Sequence, residues 1–304
     1  MAERAWVPVA AYTGHKSAVY ALCTDGPDHF LSAGGDGLVV QWERDRTEEG
    51  DALVDVGEAV FSLCALPELG LLLIGTGTGR LVVIDRRTRQ EVQAITAHAK
   101  GIFRITPLPG AGTIACAGGD GVLSTWDLVD DRARPLSAAR RIPLCEEKLR
   151  DVVVSPNGER VVVACGDGSL RELDLPALNE CQRFDRHERG ANSVMFHPDK
   201  PVLISGGKDG LLKVWRADGG LLLDLAAHKG SIYCAAPDPT GRTIVTAGRD
   251  ALVKVWGAQD LAPIRRSGRE RNAHTHSVNT MLWSGTTLLT GSDDRTIKAW
   301  RIDP

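Results

Sequence analysis

Gly206-Gly207-Lys208-Asp209-Gly210-Leu211-Leu212-Lys213-Val214-Trp215 is the stretch that decides the fold. An Asp sits in a glycine-flanked turn, strand residues follow, and a Trp stands six positions after the Asp. The spacing recurs as Asp36 to Trp42, Asp120 to Trp126, Asp250 to Trp256 and Asp294 to Trp300. Two weaker copies keep it with substitutions, Asp167 to Leu173 and Thr78 to Ile84. The last residues of the copies fall at 42, 84, 126, 173, 215, 256 and 300, giving gaps of 42, 42, 47, 42, 41 and 44. A period of about 42 built from strands and turns specifies a propeller or a repeat array.

The repeats span roughly residues 15–42, 57–84, 98–126, 146–173, 187–215, 228–256 and 274–300, so they account for one domain over 1–304. Each supplies short apolar, β-branched strands separated by turn residues, as a meander requires. The seventh repeat runs out after its third strand, and residues 1–14 carry a spare strand pattern, Trp6 to Tyr12. The expectation is an all-β, seven-bladed propeller of four-stranded antiparallel blades. Its ring is closed by the N- and C-terminal strands, residues 1–14 completing the last blade. The long spacer 127–146, with Pro135 and Pro143, reads as an enlarged surface loop beside a ragged outer strand.

Composition narrows the function. The formal net charge of −3 argues against a globally basic nucleic-acid binder. The 7 cysteines form no Cys-x-x-Cys pair, and Cys64, Cys116, Cys165 and Cys234 fall in apolar runs, reading as reduced, buried thiols. With no basic N-terminal region leading into an apolar core, no signal peptide is evident, and no run of 18 apolar residues spans a membrane. The expected location is cytoplasmic.

Five of the 8 histidines take a fixed place: His15, His98, His187, His228 and His274 each lie 20 to 22 residues before the turn Asp of their repeat. Four positions before that Asp stand Ser32, Cys116, Ser205, Thr246 and Thr290. His, hydroxyl, Asp and Trp at these spacings closely resemble the WD-repeat (WD40) β-propellers. The Trp-Asp dipeptide itself appears once, as Trp126-Asp127. Read physically, the entry loop and the turn meet at one end of a meander. Asp209 can then accept from His187, which reaches Ser205, which accepts from the Trp215 indole. The same set is Asp36, His15, Ser32, Trp42 in blade 1, Asp250, His228, Thr246, Trp256 in blade 6 and Asp294, His274, Thr290, Trp300 in blade 7. Blade 3 offers His98, Asp120 and Trp126 with Cys116 as a weak hydroxyl substitute. Blades 2 and 4 lack His and Trp and are expected to rely on apolar packing and on neighbouring blades.

Repetition speaks against catalysis. A Ser-His-Asp triad is needed once, not five times. His274-x-His276 has no third ligand nearby in sequence, and the glycine clusters sit between strands rather than before a helix. No enzyme, cofactor or metal is expected.

What remains is a surface. One position, five residues after the His where there is one, opens the inner strand of every blade: Tyr20, Phe61, Phe103, Arg150, Asn192, Tyr233 and Asn279. Aromatics and Arg around one opening are the usual anchors of a binding site, and the resemblance implies a rim that holds peptide segments of protein partners. The residue before the turn Asp faces the same end: glycine in blades 1 to 4, then Lys208, Arg249 and Asp293. This suggests an acidic or phosphorylated segment beside an apolar anchor. The function read from the sequence is a non-enzymatic interaction scaffold, a monomeric propeller within a complex. The alternative is a nucleic-acid-associated scaffold using Arg265, Arg266, Arg269 and Arg271, which otherwise form a charged protective edge.

Overall fold

Leu72-Leu73-Ile74 and Val161-Val162-Val163 are apolar at every position, as suits strands covered on both faces. Each lies in the second strand of a sheet, Leu71–Thr76 and Arg160–Cys165, and is fully buried. In the computed structural model, which describes residues 4–110, 112–185, 187–268 and 272–301, seven antiparallel sheets form the blades of a seven-bladed β-propeller. Blade 1 shows the order, innermost strand first: Val19–Thr24, His29–Gly34, Leu38–Glu43 and Asp51–Asp55. Seven apolar clusters occupy the junctions between neighbouring blades, and one of them joins blade 7 to blade 1. The only helical element among the described residues is the single turn Pro67–Leu69, and no helix is long and apolar enough to cross a membrane.

Blade 7 contributes Val278–Ser284, Thr287–Ser292 and Thr296–Arg301, and its fourth strand is Ala10–Thr13. Ala10 faces Ala299 and Thr13 faces Thr296 in an antiparallel ladder, so the ring closes as the repeat count required. The same segment also reaches blade 6, where Arg4–Ala5 runs parallel beside the outer strand Pro263–Arg266 as a fifth strand. Between the two pairings, Trp6 packs on Trp300 with ring centroids 4.9 Å apart, and its Nε1 donates to the Arg301 carbonyl at 2.8 Å. Tyr12 meets Phe30 edge-on at 5.0 Å, and its hydroxyl donates to the Arg44 carbonyl at 2.6 Å. One short segment thereby seals both junctions of blade 7.

Two expectations change. Half of the spacer 127–146 is strand, and its outer strand is regular, not ragged: Leu136–Pro143, eight residues, pairs along Val122–Leu128 with one bulge. Its prolines flank or end an outer strand, where a missing N–H breaks no ladder bond. Arg265 and Arg266 do lie on an outer strand, but Arg4–Ala5 covers it, so this is not the free charged edge expected. Arg269 and Arg271 fall outside the described residues.

Deleting residues 1–13 removes the fourth strand of blade 7 together with Tyr12 and Trp6. The expected outcome is loss of a single cooperative thermal transition, followed by circular dichroism; an unchanged transition would rule out closure by this segment.

Candidate functional site: bulged residues at the channel mouth

Every inner strand carries one irregularity, at one place. In blade 1 Val19 faces Gly34 and Ala21 faces Ala33, leaving Tyr20 without a partner across the ladder. The same slip isolates Phe61, Phe103, Arg150, Asn192, Tyr233 and Asn279 in the other six blades. A bulge re-aims the extra residue away from the sheet. All seven line a single cavity of about 590 Å³, together with Lys148, Lys208, Asp151 and Asp293. Arg249 does not line it and stands exposed on the turn of blade 6.

The ring is graded in chemistry. Tyr20 meets Phe61 edge-on at 5.3 Å, Phe61 stacks on Phe103 at 5.2 Å, and the Arg150 guanidinium lies 4.6 Å from the Phe103 centroid. Lys148 Nζ is 5.6 Å from the same ring. Glycines before the turn make room for these rings: a Cβ on Gly119 would come within 3.0 Å of Phe103, and one on Gly77 within 3.2 Å of Phe61.

Arg150 is the unbalanced member. Its Nε is buried without a hydrogen-bond partner, and burial lowers its pKa although a guanidinium stays charged. The adjacent Asp151 is already engaged, accepting from the amides of Val152 and Val194 and facing Arg104 at 3.4 Å. Among the described residues no carboxylate pairs with Arg150. Burial, then the neighbouring charges of Arg150 and Lys208, hold Lys148 below the ordinary lysine value. The mouth is therefore positive on one side and aromatic on the other.

The two Asn residues differ from the expected rim contacts. Asn192 is buried, 3% exposed, and donates to the Ile232 carbonyl of blade 6 at 3.0 Å. Asn279 donates to the Val19 carbonyl of blade 1 at 3.2 Å and to Asp293 at 2.7 Å. Both tie one blade to the next. An amide reaches a neighbouring carbonyl where a ring cannot.

Beneath the rim, five networks hold loop to turn. His15 Nδ1 lies 2.9 Å from Asp36 and its Nε2 2.7 Å from Ser32, to which the Trp42 indole donates at 2.7 Å. His187, Asp209, Ser205 and Trp215 repeat this in blade 5, with 2.8 Å between the Trp215 indole and Ser205. His228, Asp250, Thr246 and Trp256, and His274, Asp294, Thr290 and Trp300, do the same. One proton arrangement satisfies every member: Nδ1–H donates to Asp, the hydroxyl donates to Nε2 and accepts from the indole.

Blade 3 corrects the expectation for Cys116. The hydroxyl there is Ser124, 2.8 Å from His98 Nε2 and 2.9 Å from the Trp126 indole. Cys116 and Ser124 face each other across the ladder, so the hydroxyl has crossed to the adjacent strand at the same depth. Blades 2 and 4 also keep a loop-to-turn contact instead of relying on apolar packing alone. In blade 2 Glu58 replaces the His, accepting from Thr78 and from Arg80 at 3.1 Å. In blade 4 Asp167 keeps its place, with Cys145 beside it.

The sequence model of the WD domain, G-beta repeat, matches residues 6–43, 178–216, 219–257 and 266–301. The chain belongs to the WD40 family. Transducin beta-like protein 3 of Rattus norvegicus is 26% identical over 97% of the chain, and the protein lethal(2)denticleless of Drosophila melanogaster is 26% identical over 74%. The chain spans 40% and 30% of the length of these two relatives. In fold it matches the WD40 beta propeller domain of Doa1 with a TM-score of 0.84 at 18% identity, covering 98% of this chain and 97% of that one. WD40 propellers commonly mediate protein–protein interaction and are generally non-catalytic.

Replacing Trp215 with Ala should cost about 3–5 kcal/mol, read from denaturant midpoints. Ser124→Ala, which leaves a buried indole N–H without its acceptor, should cost about 1–3 kcal/mol; an unchanged midpoint would return the role to Cys116.

Acid should weaken the networks in two stages. Burial depresses His98 and His274 below the ordinary 6.5. The unfolded chain therefore takes up these protons first, and the stability involved is complete above pH 6.5 and lost as pH falls below it. Burial opposes ionised Asp120 and Asp294, but the hydrogen bonds they accept win and hold both below the ordinary 3.8. Their contribution is present above that value and is lost in stronger acid. Thermal midpoints should drop as the pH is lowered from 6.5; a level profile from pH 6.5 through pH 5 would refute a neutral buried imidazole.

Proposed function

We propose that this WD40 propeller is a non-enzymatic interaction platform that holds a short segment of a protein partner at the channel mouth. The observation carrying this reading is that seven bulged residues, one per blade, open into one cavity graded from aromatic to cationic. The Tyr20–Phe61–Phe103 ladder takes an apolar side chain of the segment, since half-buried rings held by one another give contact area at low entropic cost. Arg150, with Lys148 and Lys208, takes an acidic or phosphorylated residue beside it. A desolvated guanidinium without a carboxylate gains most from an anion the partner supplies. The seven free thiols suit a reducing compartment such as the cytoplasm.

The test is a peptide library pairing acidic or phosphorylated residues with neighbouring apolar ones, screened against the parent, Arg150→Ala and Phe103→Ala. Binding should weaken at least about tenfold in either variant, roughly 1.4 kcal/mol. Stability should stay within about 1 kcal/mol, and affinity should fall with added salt. Equal binding by parent and both variants would move the partner site off this face.

A further inference from the structure

The position of the missing histidine in blade 4 is occupied by a thiol. Cys145 precedes Asp167 by the same 22 residues that separate His98 from Asp120 and His187 from Asp209. Two residues before Asp167 stands Cys165, where blades 3 and 5 have Gly118 and Gly207. In these two blades the imidazole leaves no room for a side chain there, whereas blade 7 carries Ser292 at that position beside His274. A Cβ on Gly118 would lie 2.1 Å from His98 Nδ1, and one on Gly207 2.2 Å from His187 Nδ1. Removing the ring opens the space that Cys165 fills. In blade 4 the ring is absent and the glycine is replaced, and the product is a pair of adjacent thiols.

The Cys145 and Cys165 sulfurs and a carboxylate oxygen of Asp167 lie within 4.8 Å of one another. Asp167 is already engaged: its Oδ1 accepts from the Ser169 amide at 2.9 Å and hydroxyl at 2.7 Å, and its Oδ2 faces Arg171 at 3.6 Å. An arginine there disfavours a resident cation and leaves the thiols to react with each other. They differ in access: Cys145 is half-buried on the loop joining Leu136–Pro143 to Leu149–Val154, while Cys165 is buried at the end of its strand. They differ also in acidity. The neighbouring Cys165 thiol is the main cause that lowers Cys145 below the ordinary thiol value, against burial; the same pairing, with burial, pushes Cys165 up. Burial pushes Cys64 up to about 12 and raises Cys116 and Cys234 as well, which keeps those thiols inert.

We propose that Cys145 and Cys165 form an oxidisable thiol pair, converted by a hydroperoxide into an intrachain disulfide and restored by thiols. The Cys145 thiolate attacks the terminal peroxide oxygen, the O–O bond breaks, and the alkoxide or hydroxide leaves, taking from solvent the proton the thiol had released to become an alcohol or water, with a sulfenic acid left on Cys145. The Cys165 sulfur then attacks the Cys145 sulfur, the S–O bond breaks, and the departing hydroxide takes the Cys165 proton as water. Two thiols are oxidised by two electrons and one hydroperoxide is reduced. A disulfide needs the sulfurs about 2 Å apart. Closing the distance requires Cys145 to release the Glu147 carbonyl, 3.0 Å from its Sγ, on a loop whose Cys145 amide bond to the Gly121 carbonyl is 3.4 Å long.

The test treats the folded protein with hydrogen peroxide, blocks remaining thiols and digests with trypsin without reduction. Cleavage after Arg141, Lys148, Arg160 and Arg171 puts the two cysteines on separate peptides, 142–148 and 161–171. The expected result is a linked pair of these peptides, replaced by the free peptides after dithiothreitol, in the parent and in a Cys181→Ser variant that lacks the exposed thiol. In Cys165→Gly, checked for an unchanged thermal transition, Cys145 should stop at the sulfenic acid and be captured by dimedone. Both peptides still fully alkylated after peroxide, or a Cys145 sulfenic acid that persists in the parent without linking, would overturn the proposal.

Discussion

A four-stranded sheet of short strands has two faces and can bury neither by itself. That constraint organises this chain. Every blade must be packed on both sides, so the sheets can only stack, and a stack ends only by meeting itself. The seven apolar clusters lie at junctions rather than within blades, and the one joining blade 7 to blade 1 is built like the others. Tyr12 makes that equivalence possible, because it brings an aromatic side chain from residues 10–13 into the junction that would otherwise be left thin.

The channel-face chemistry is layered on this packing. The His–Asp contacts hold entry loops against turns, and the bulges one turn further in direct one side chain per blade into the cavity. The blades that depart from the pattern show what the pattern is for. Ser124 replaces a hydroxyl from the opposite strand, Glu58 with Thr78 exchanges the charged and neutral partners, and Cys145 with Cys165 refills the volume of an imidazole. In each case the loop-to-turn contact survives a change of chemistry.

Much of this was legible in the chain. The Asp-to-Trp spacing gave the number of blades; counting five residues from each His found five bulged positions, and the equivalent place in the repeat found Phe61 and Arg150, since a bulge at a fixed offset leaves the register of the repeat intact. What lay hidden depends on contacts between repeats. The fate of Asn192 is decided by the Ile232 carbonyl of the next blade, forty residues away in sequence. Ser124 is two residues from its Trp and looks like any strand serine until Cys116 is seen opposite. The outer strand Leu136–Pro143 was obscured by its arginines and prolines, because an exposed edge strand has no apolar alternation to betray it. Arg4–Ala5 could not be placed at all by repeat counting, being an addition to a blade already complete.

The pairing of Ala10 with Ala299 also sets an order of events during synthesis. The strand Ala10–Thr13 is synthesised before blade 1, and its partner Thr296–Arg301 only after blades 1 to 6. Blades 1 to 6 can each form a complete sheet from residues already made, whereas blade 7 cannot. For most of translation the junction face of blade 1, with Phe30 and Trp42, has no neighbour and no Tyr12 held against it. Closure is therefore the last and longest-range step of folding, and its loop-closure entropy makes it the slow one. The nascent propeller spends that interval as an open arc with two sticky ends, which is when a chaperone would have most to protect.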